Sequence, residues 1–284
     1  MLTELKKYSP EEIRKLLKEK NYPLNGITEL GTARFSLREP SGMLGVALHS
    51  GSTVRREMQQ IMGVTRQQRF LEEDPYTDRF VKDFPMHLVA LDSRFEYDLN
   101  RELEGAIYPY GEKKWGLQVW KRPLTGEERE KTYLKHKEFH EFLEVIIEHI
   151  LEYHRIAVVF DIHSFCYQRE RRLEWWKDEH PEINLGTSSI DRAHFAPLID
   201  RFLERISRTT INGHRIRVAE NEIFPGGFLT RKFAKSHPKT VLVLAIEYKK
   251  IFMDEHTGRL DEKTLEKLVG ELMLTKELLN SQVF

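Results

Sequence analysis

The sequence predicts an α/β protein, and three observations carry that prediction. Two short apolar runs, Ile156–His163 and Val241–Ile246, have the length and the β-branched, aromatic content of strands covered on both faces. Between them in character, though not in position, is a long stretch from Thr125 to Tyr153. There Tyr133, Phe139, Phe142, Leu143, Ile146, Ile147 and Ile150 recur at helical spacing. Such a helix returns the chain to the next strand as a crossover connection does. In the first run, six of the eight residues are apolar, yet Asp161 and His163 interrupt it near its end. Period 2 puts those two side chains on one side of the strand. The crevice beyond the strand C-termini of an open sheet is where ligands bind.

The remaining elements follow in order. Ser9-Pro10-Glu11-Glu12 starts a helix, with Ser9 as N-cap, Pro10 in the first turn and acids facing the dipole; it runs to about Glu19. Gly45-Val46-Ala47-Leu48 is a short buried strand that ends in His49-Ser50-Gly51. Asp74-Pro75 opens a helix in which Asp74 caps, and Asp78 falls on the same face four residues on. A strand follows at His87–Leu91, then an alternating, extended stretch from Ser93 to Arg101 that gathers Arg94, Asp98, Asn100 and Arg101. Residues 102–125 form a loop rich in Gly, Tyr, Trp and Lys, long enough to be a lid or a mouth. The charged stretch Gln168–Glu179, with Trp175 and Trp176, is expected to be exposed. Asn184–Thr187 is expected to be a turn, Asp191–Ser207 a helix and Arg215–Ala219 a strand. The pair Gly226-Gly227 frees the backbone for close approach to a ligand, with Arg231 just beyond. Glu247 closes the second apolar run, where a carboxylate is costly unless paired or functional. A last helix covers about Asp261–Leu279. With no repeat and no linker, the chain reads as one domain over 1–284, with 1–25 a peripheral N-terminal helix and 261–284 a C-terminal helix.

Composition narrows the function. Lys and Arg total 45 and so do Asp and Glu, which removes the electrostatic case for nucleic acid or an anionic membrane. One cysteine, Cys166, excludes an internal disulfide and a cysteine-based zinc knuckle. No apolar run approaches the ~20 residues of a membrane span, and the N-terminus turns polar before a signal-peptide core forms. A cytoplasmic protein is expected, a monomer or weak homo-oligomer.

The polar residues at the strand ends are chemically complementary. Two imidazoles and one carboxylate are the ligand set of a catalytic zinc site that keeps its fourth position for water. A free carboxylate beside it takes a proton from that water and returns it to a leaving amine. Guanidinium groups hold a carboxylate and steady an oxyanion. Together these describe metal-assisted amide hydrolysis.

The chain resembles the N-formylglutamate amidohydrolase family, which is similar at longer range to zinc carboxypeptidases and aspartoacylases. The resemblance rests on seven collinear matches: Leu48–Gly51, Asp74–Arg79, Ser93–Arg101, Asp161–Ser164, Asn184–Thr187, Gly226–Arg231, and Glu247 with Phe252–Glu255. It implies a three-layer α/β/α domain around a mixed central sheet. It implies one Zn2+ per chain, held by His49, His163 and an acid, Asp74 in preference to Asp78. By the same resemblance Glu247 is the general base and Arg94 the oxyanion-polarising arginine. Asn100 and Arg101 grip the substrate carboxylate, and Arg231 is a second candidate for an acidic substrate. The expected substrate is a small anionic N-acyl amino acid, N-formyl-L-glutamate first. A deacylase or carboxypeptidase acting on another N-acyl amino acid or small peptide, or a non-catalytic binder of an acidic metabolite, is the alternative. Leu48 and Pro75 depart from the family, which often has Pro and an aromatic there. Both positions shape the pocket, so they bear on substrate identity.

Overall fold

The computed structural model of the protein describes residues 5–168 and 174–283. The strands are β1 (Lys7–Tyr8), β2 (Leu24–Thr28), β3 (Ala33–Leu37), β4 (Met43–Ala47), β5 (Met86–Ala90), β6 (Lys113–Lys114), β7 (Leu117–Gln118), β8 (Ala157–Phe165), β9 (Ile183–Gly186), β10 (Thr210–Ile211), β11 (His214–Arg215), β12 (Val218–Glu220) and β13 (Val241–Lys249). The helices are α1 (Pro10–Lys18), α2 (Arg56–Ile61), α3 (Arg66–Glu72), α4 (Thr77–Val81), α5 (Gly126–Tyr153), α6 (Ala196–Ile206), α7 (Phe228–Ser236) and α8 (Glu262–Val283).

Among the described residues, nine strands form one mixed sheet in the order β1-β2-β3-β5-β4-β8-β13-β9-β12. Its centre, β4, β8 and β13, is parallel; β3 and β9 run against their inner neighbours. Alternation along the strands sorts the core onto two faces. Val158, Phe160 and Ile162 of β8 join Leu242, Leu244 and Ile246 of β13 under α6 and α8. Ala157 and Val159 join Val241 and Val243 under α5 and α7. Each such side chain contributes about 1.5–3 kcal/mol on leaving water, so a one-residue slip of either central strand is prohibitive. That register also places Asp161 and His163 in step with Ala157 and Val159, on the α5–α7 side. The layers are therefore helix, sheet, helix, as expected.

Local rules account for the well-placed helices. Ser9 with Glu12, and Thr125 with Glu128, form reciprocal capping boxes that start α1 and α5 at the expected residues. Helix α1 buries Ile13 and Leu17 and packs on α5. Gly45 lets α4 lie close to β4: a Cβ there would stand 2.9 Å from the Cβ of Val81.

Several elements differ from expectation. Asp74 and Pro75 lie outside the helix, which begins at Thr77 after Tyr76 adopts φ +68°. The segment from Ser93 to Arg101 is a series of turns, because Ser93 and Asp98 accept hydrogen bonds from their own backbone neighbours. Asn184 to Gly186 belongs to β9, since Leu185 is buried and β9 pairs with both β13 and β12. The helix expected from Asp191 starts only at Ala196, and the strand expected over Arg215–Ala219 is split between β11 and β12. Of the stretch Gln168–Glu179, residues 169–173 lie outside the described residues. Trp175 beyond them is buried, with its carbonyl facing the ammonium of Lys249, while Trp176 is exposed and stacks on His214.

Candidate active site

The parallel strands β4, β8 and β13 end side by side, and their ends line a cavity of about 400 Å³. His49 stands two residues beyond β4, while His163 and Glu247 are directly paired positions of β8 and β13. Both β8 and β13 continue past these residues, so His163 and Glu247 are carried by strand backbone, not by a loop. The cavity is completed by Glu72, Asp74, Arg94, Asn100, Trp115 and the loop from Ile223 to Gly227.

His49, Asp74 and His163 converge, with one donor atom of each within 4.8 Å of the others, and all three are buried. Asp74 Oδ2 lies 3.4 Å from His49 Nδ1 and 3.3 Å from His163 Nδ1. The far nitrogen of each ring meets a second carboxylate. His49 Nε2 is 2.8 Å from Asp98 Oδ1, and His163 Nε2 is 3.0 Å from Asp161 Oδ1. At His49 the carboxylate hydrogen-bonded to Nε2 fixes the tautomer with the proton there and turns the Nδ1 lone pair inward, whereas His163 hydrogen-bonds Asp74 through Nδ1 and has Asp161 beside its Nε2. Among the described residues, His49 Nδ1 has no hydrogen-bond partner although it is buried. The inward lone pair of His49, a second buried imidazole and the Asp74 oxygen between them, with the carboxylates of Asp98, Asp161 and Glu247 nearby, make a donor set that fits a divalent cation.

The backbone holds these groups together. The Asp74 N–H donates to the His49 carbonyl at 2.9 Å, which ties two members of the cluster directly. Lys250, itself buried, donates from Nζ to the carbonyls of Leu71 (2.5 Å) and Glu73 (2.9 Å), clamping the segment that leads into Asp74. Asp78 points elsewhere: it pairs with Arg34 at 2.5 Å, because the left-handed Tyr76 redirects the chain between the two aspartates. The expected shared face of Asp74 and Asp78 is therefore absent, and Asp78 stands outside the cluster.

Charge follows from this packing. Burial pushes the Glu247 carboxyl up to about 7, against the opposing pull of His163. Burial works against ionisation of Asp98 too, but Arg94, His49 and Tyr108 outweigh it and hold its carboxyl well below the usual range. Asp98 accepts from the Asn100 N–H at 3.0 Å, from Arg94 at 3.0 Å and from the Tyr108 hydroxyl at 2.6 Å. It is the hub that links His49 to the arginines.

Of the other expected site residues, Arg94 lines the cavity and rests 4.9 Å from the Trp115 ring. Asn100 lines it as well, with Oδ1 accepting from the Phe228 N–H at 2.5 Å. Gly227 is needed there, since a Cβ would fall 2.2 Å from that Oδ1. So Gly227 admits Asn100 against the backbone, and both glycines lie in the cavity lining. Arg101 stays at the rim, its Nε 3.4 Å from Asp98 Oδ2 and its guanidinium over Tyr108. Arg231 is not brought to the cavity; it is exposed on α7, whose inward positions are Leu229, Thr230 and Phe233. Sequence reasoning missed Trp115, Lys250 and the role of Asn184. Asn184 Oδ1 accepts from the N–H groups of Glu222 and Ile223, and its Nδ2 donates to Phe224 O, which holds the cavity-lining loop.

Residues 41–253 match the family model of N-formylglutamate amidohydrolase. The chain belongs to this family. A crystal structure of N-formylglutamate amidohydrolase from Ralstonia eutropha JMP134 overlays with TM-score 0.67 at 18% identity, over 89% of this chain and 98% of its own. A gene product of Agrobacterium tumefaciens overlays with TM-score 0.58 at 19% identity, over 92% of this chain and 98% of its own. A metallo-carboxypeptidase from Burkholderia cenocepacia overlays with TM-score 0.40 at 12% identity, over 96% of this chain and 69% of its own. No curated protein matches the sequence. Among the described residues, no helix is long and apolar enough to cross a membrane.

Proposed function

We propose that the protein is a zinc-dependent hydrolase that cleaves the amide bond of an N-acyl amino acid, N-formyl-L-glutamate first, to formate and the free amino acid. The observation that carries this reading is the convergence of His49, Asp74 and His163, with a second carboxylate close to the far nitrogen of each ring, beside Glu247 in one cavity. His49 Nδ1, His163 Nδ1 and Asp74 would hold the zinc. When bound, it supplies Lewis-acid activation of a water and of the amide carbonyl. Glu247 accepts the water's proton on its carboxylate and delivers it to the amide nitrogen, so that nitrogen leaves as an amine. A carboxyl held near 7 is suited to both halves of that transfer. Arg94 faces the oxygen that gains charge as the carbonyl becomes tetrahedral. Asn100, with Oδ1 already engaged by Phe228, has its Nδ2 left to donate to the substrate carboxylate. Arg101 adds two guanidinium nitrogens beyond the one near Asp98.

The test is hydrolysis of N-formyl-, N-acetyl- and N-succinyl-L-glutamate by zinc-loaded protein and by protein stripped with a chelator. N-formyl-L-glutamate should be the best substrate, with activity lost on stripping and restored by zinc. Preference for another acyl group moves the assignment to a related deacylase. Binding of these compounds without turnover in the loaded protein overturns the reading.

A further inference from the structure

Three cations, Arg94, Arg101 and Lys114, gather around Trp115 at the cavity wall and its neighbour Tyr108, with Asp98 shared between the two arginines. Strands β6 and β7 form a hairpin with Lys114 opposite Leu117, closed by Trp115 at φ +48° and Gly116 at φ +76°. Two left-handed residues in succession make the tight turn whose twist suits a hairpin. A tryptophan rarely adopts that backbone, and here its ring is boxed by Phe95 at 5.6 Å and Tyr108 at 5.7 Å. The turn thereby fixes Trp115 at the cavity wall and Lys114 beside it.

The Tyr108 and Trp115 rings stand perpendicular, and three cations surround them. Arg94 lies over Trp115 and Arg101 over Tyr108, at 4.9 and 5.1 Å. Lys114 Nζ lies between, 5.8 Å from the Tyr108 centroid and 5.6 Å from that of Trp115. Among the described residues, no carboxylate lies within ion-pairing reach of Lys114, while Asp98 is already shared by His49, Arg94, Arg101 and Tyr108. Desolvation and then the charge of Arg101 push the Lys114 ammonium down from its ordinary value, with Asp98 and Glu112 opposing. Like charges gathered over two rings are unfavourable alone and favourable around an anion.

We propose that Lys114, paired with Arg101, forms a subsite for a second carboxylate, so that the hairpin selects N-acyl amino acids with an acidic side chain. This rests on the hydrolase reading above and adds a residue that determines specificity. Arg101 presents a planar fork and Lys114 a point charge, which together suit two carboxylates on one short substrate. The amine of Lys114 reaches its anion from a surface hairpin, so the contact forms without moving the buried cluster.

The experiment compares wild type, Lys114→Met and Lys114→Arg on N-formyl-L-glutamate and N-formyl-L-glutamine, which differ by one charge. In wild type kcat/KM should favour the glutamate compound. Lys114→Met should reduce that preference by ~10-fold or more, through KM, the scale of one charge-assisted hydrogen bond. Lys114→Arg should restore most of it. Calorimetric titration of L-glutamate and L-glutamine into the same zinc-loaded proteins reads the preference without turnover. If wild type hydrolyses neither compound, the hydrolase reading has failed and the titration alone decides the subsite. A preference for glutamate that survives Lys114→Met, or is absent from wild type, overturns the assignment.

Discussion

Replacing Asp98 by asparagine isolates what holds the candidate metal cluster in shape. The exchange keeps the volume and removes one charge, yet it leaves no acceptable orientation for the new amide. If the amide oxygen accepts from His49 Nε2–H, as Asp98 Oδ1 does at 2.8 Å, the NH2 group faces Arg94 and the Tyr108 hydroxyl, now at 3.0 and 2.6 Å. Tyr108 can then turn acceptor, but the guanidinium cannot, and donor meets donor. If the amide is flipped, its NH2 faces His49 and demands the lone pair on Nε2. The proton then moves to Nδ1, and the lone pair turned toward Asp74 and the proposed metal position is lost. Either way a buried charge pair is broken: the side chains of Asp98 and Arg94 are 2% and 16% exposed. Breaking such a pair costs about 3–5 kcal/mol. For a chain of 284 residues this lowers the midpoint of thermal unfolding by about 5–8 °C. Loss of the carboxylate behind a ligand histidine should weaken zinc binding by ~10- to 100-fold. Competition against a chromogenic chelator measures the second effect, and thermal unfolding of the stripped protein the first. Asp161→Asn is the control. Its carboxylate is fully buried and, among the described residues, has only His163 in ion-pairing range and makes no hydrogen bond, so zinc binding should weaken less than in Asp98→Asn while the stripped protein loses little or no stability. Wild-type zinc affinity in Asp98→Asn would falsify this account of how His49 is oriented.

Four further outcomes are expected. Glu247→Gln should retain zinc while kcat falls by ~10² or more. In the wild type, kcat/KM should rise with pH as Glu247 ionises, with its limb at or below about 7 because a bound dication draws the carboxyl down; a rate that falls between pH 5 and 7 contradicts the base role. Arg101→Lys should raise KM more than it lowers kcat, Arg94→Ala should mainly lower kcat, and Arg231→Ala should alter neither; a KM effect from Arg231 would place it in the site despite its exposure. His140 is packed against Phe228 and His136, and burial followed by the charges of His136 and Lys232 pushes its imidazole well below the ordinary value. Unfolded chains bind that proton below about pH 6.5 and the native protein does not, so this contribution is complete above 6.5 and is lost as pH falls. Urea midpoints should therefore drop between pH 7 and 5.5 by more in wild type than in His140→Phe, and an equal drop in both removes His140 as the cause.

What the sequence determined by itself was set by local chemistry. The apolar runs at β8 and β13 could only be buried strands, and the capping residues Ser9 and Thr125 started their helices where predicted. Polar residues within such runs, Asp161, His163 and Glu247, stood out because burying them is costly without partners. Where those partners come from is a matter of tertiary structure. Asp74 joins His49 and His163 while Asp78, four residues on, joins Arg34, and one left-handed residue, Tyr76, separates the two outcomes. Helical spacing had put both acids on one face, but no helix spans them. Asp98 became a support for His49 only when the turns from Ser93 to Arg101 brought it against that ring, and Trp115 reached the cavity through a hairpin whose two-residue turn has no strong sequence signal. Lys250 and Asn184 act through backbone carbonyls and N–H groups far along the chain, which residue type alone does not reveal. Arg231 follows a glycine pair that lines the cavity, which made it a candidate for the substrate. The helix that begins at Phe228 turns Arg231 itself to solvent, because Leu229 and Phe233 take the buried positions. Residue chemistry thus marked the groups able to react, and long-range packing decided which of them meet.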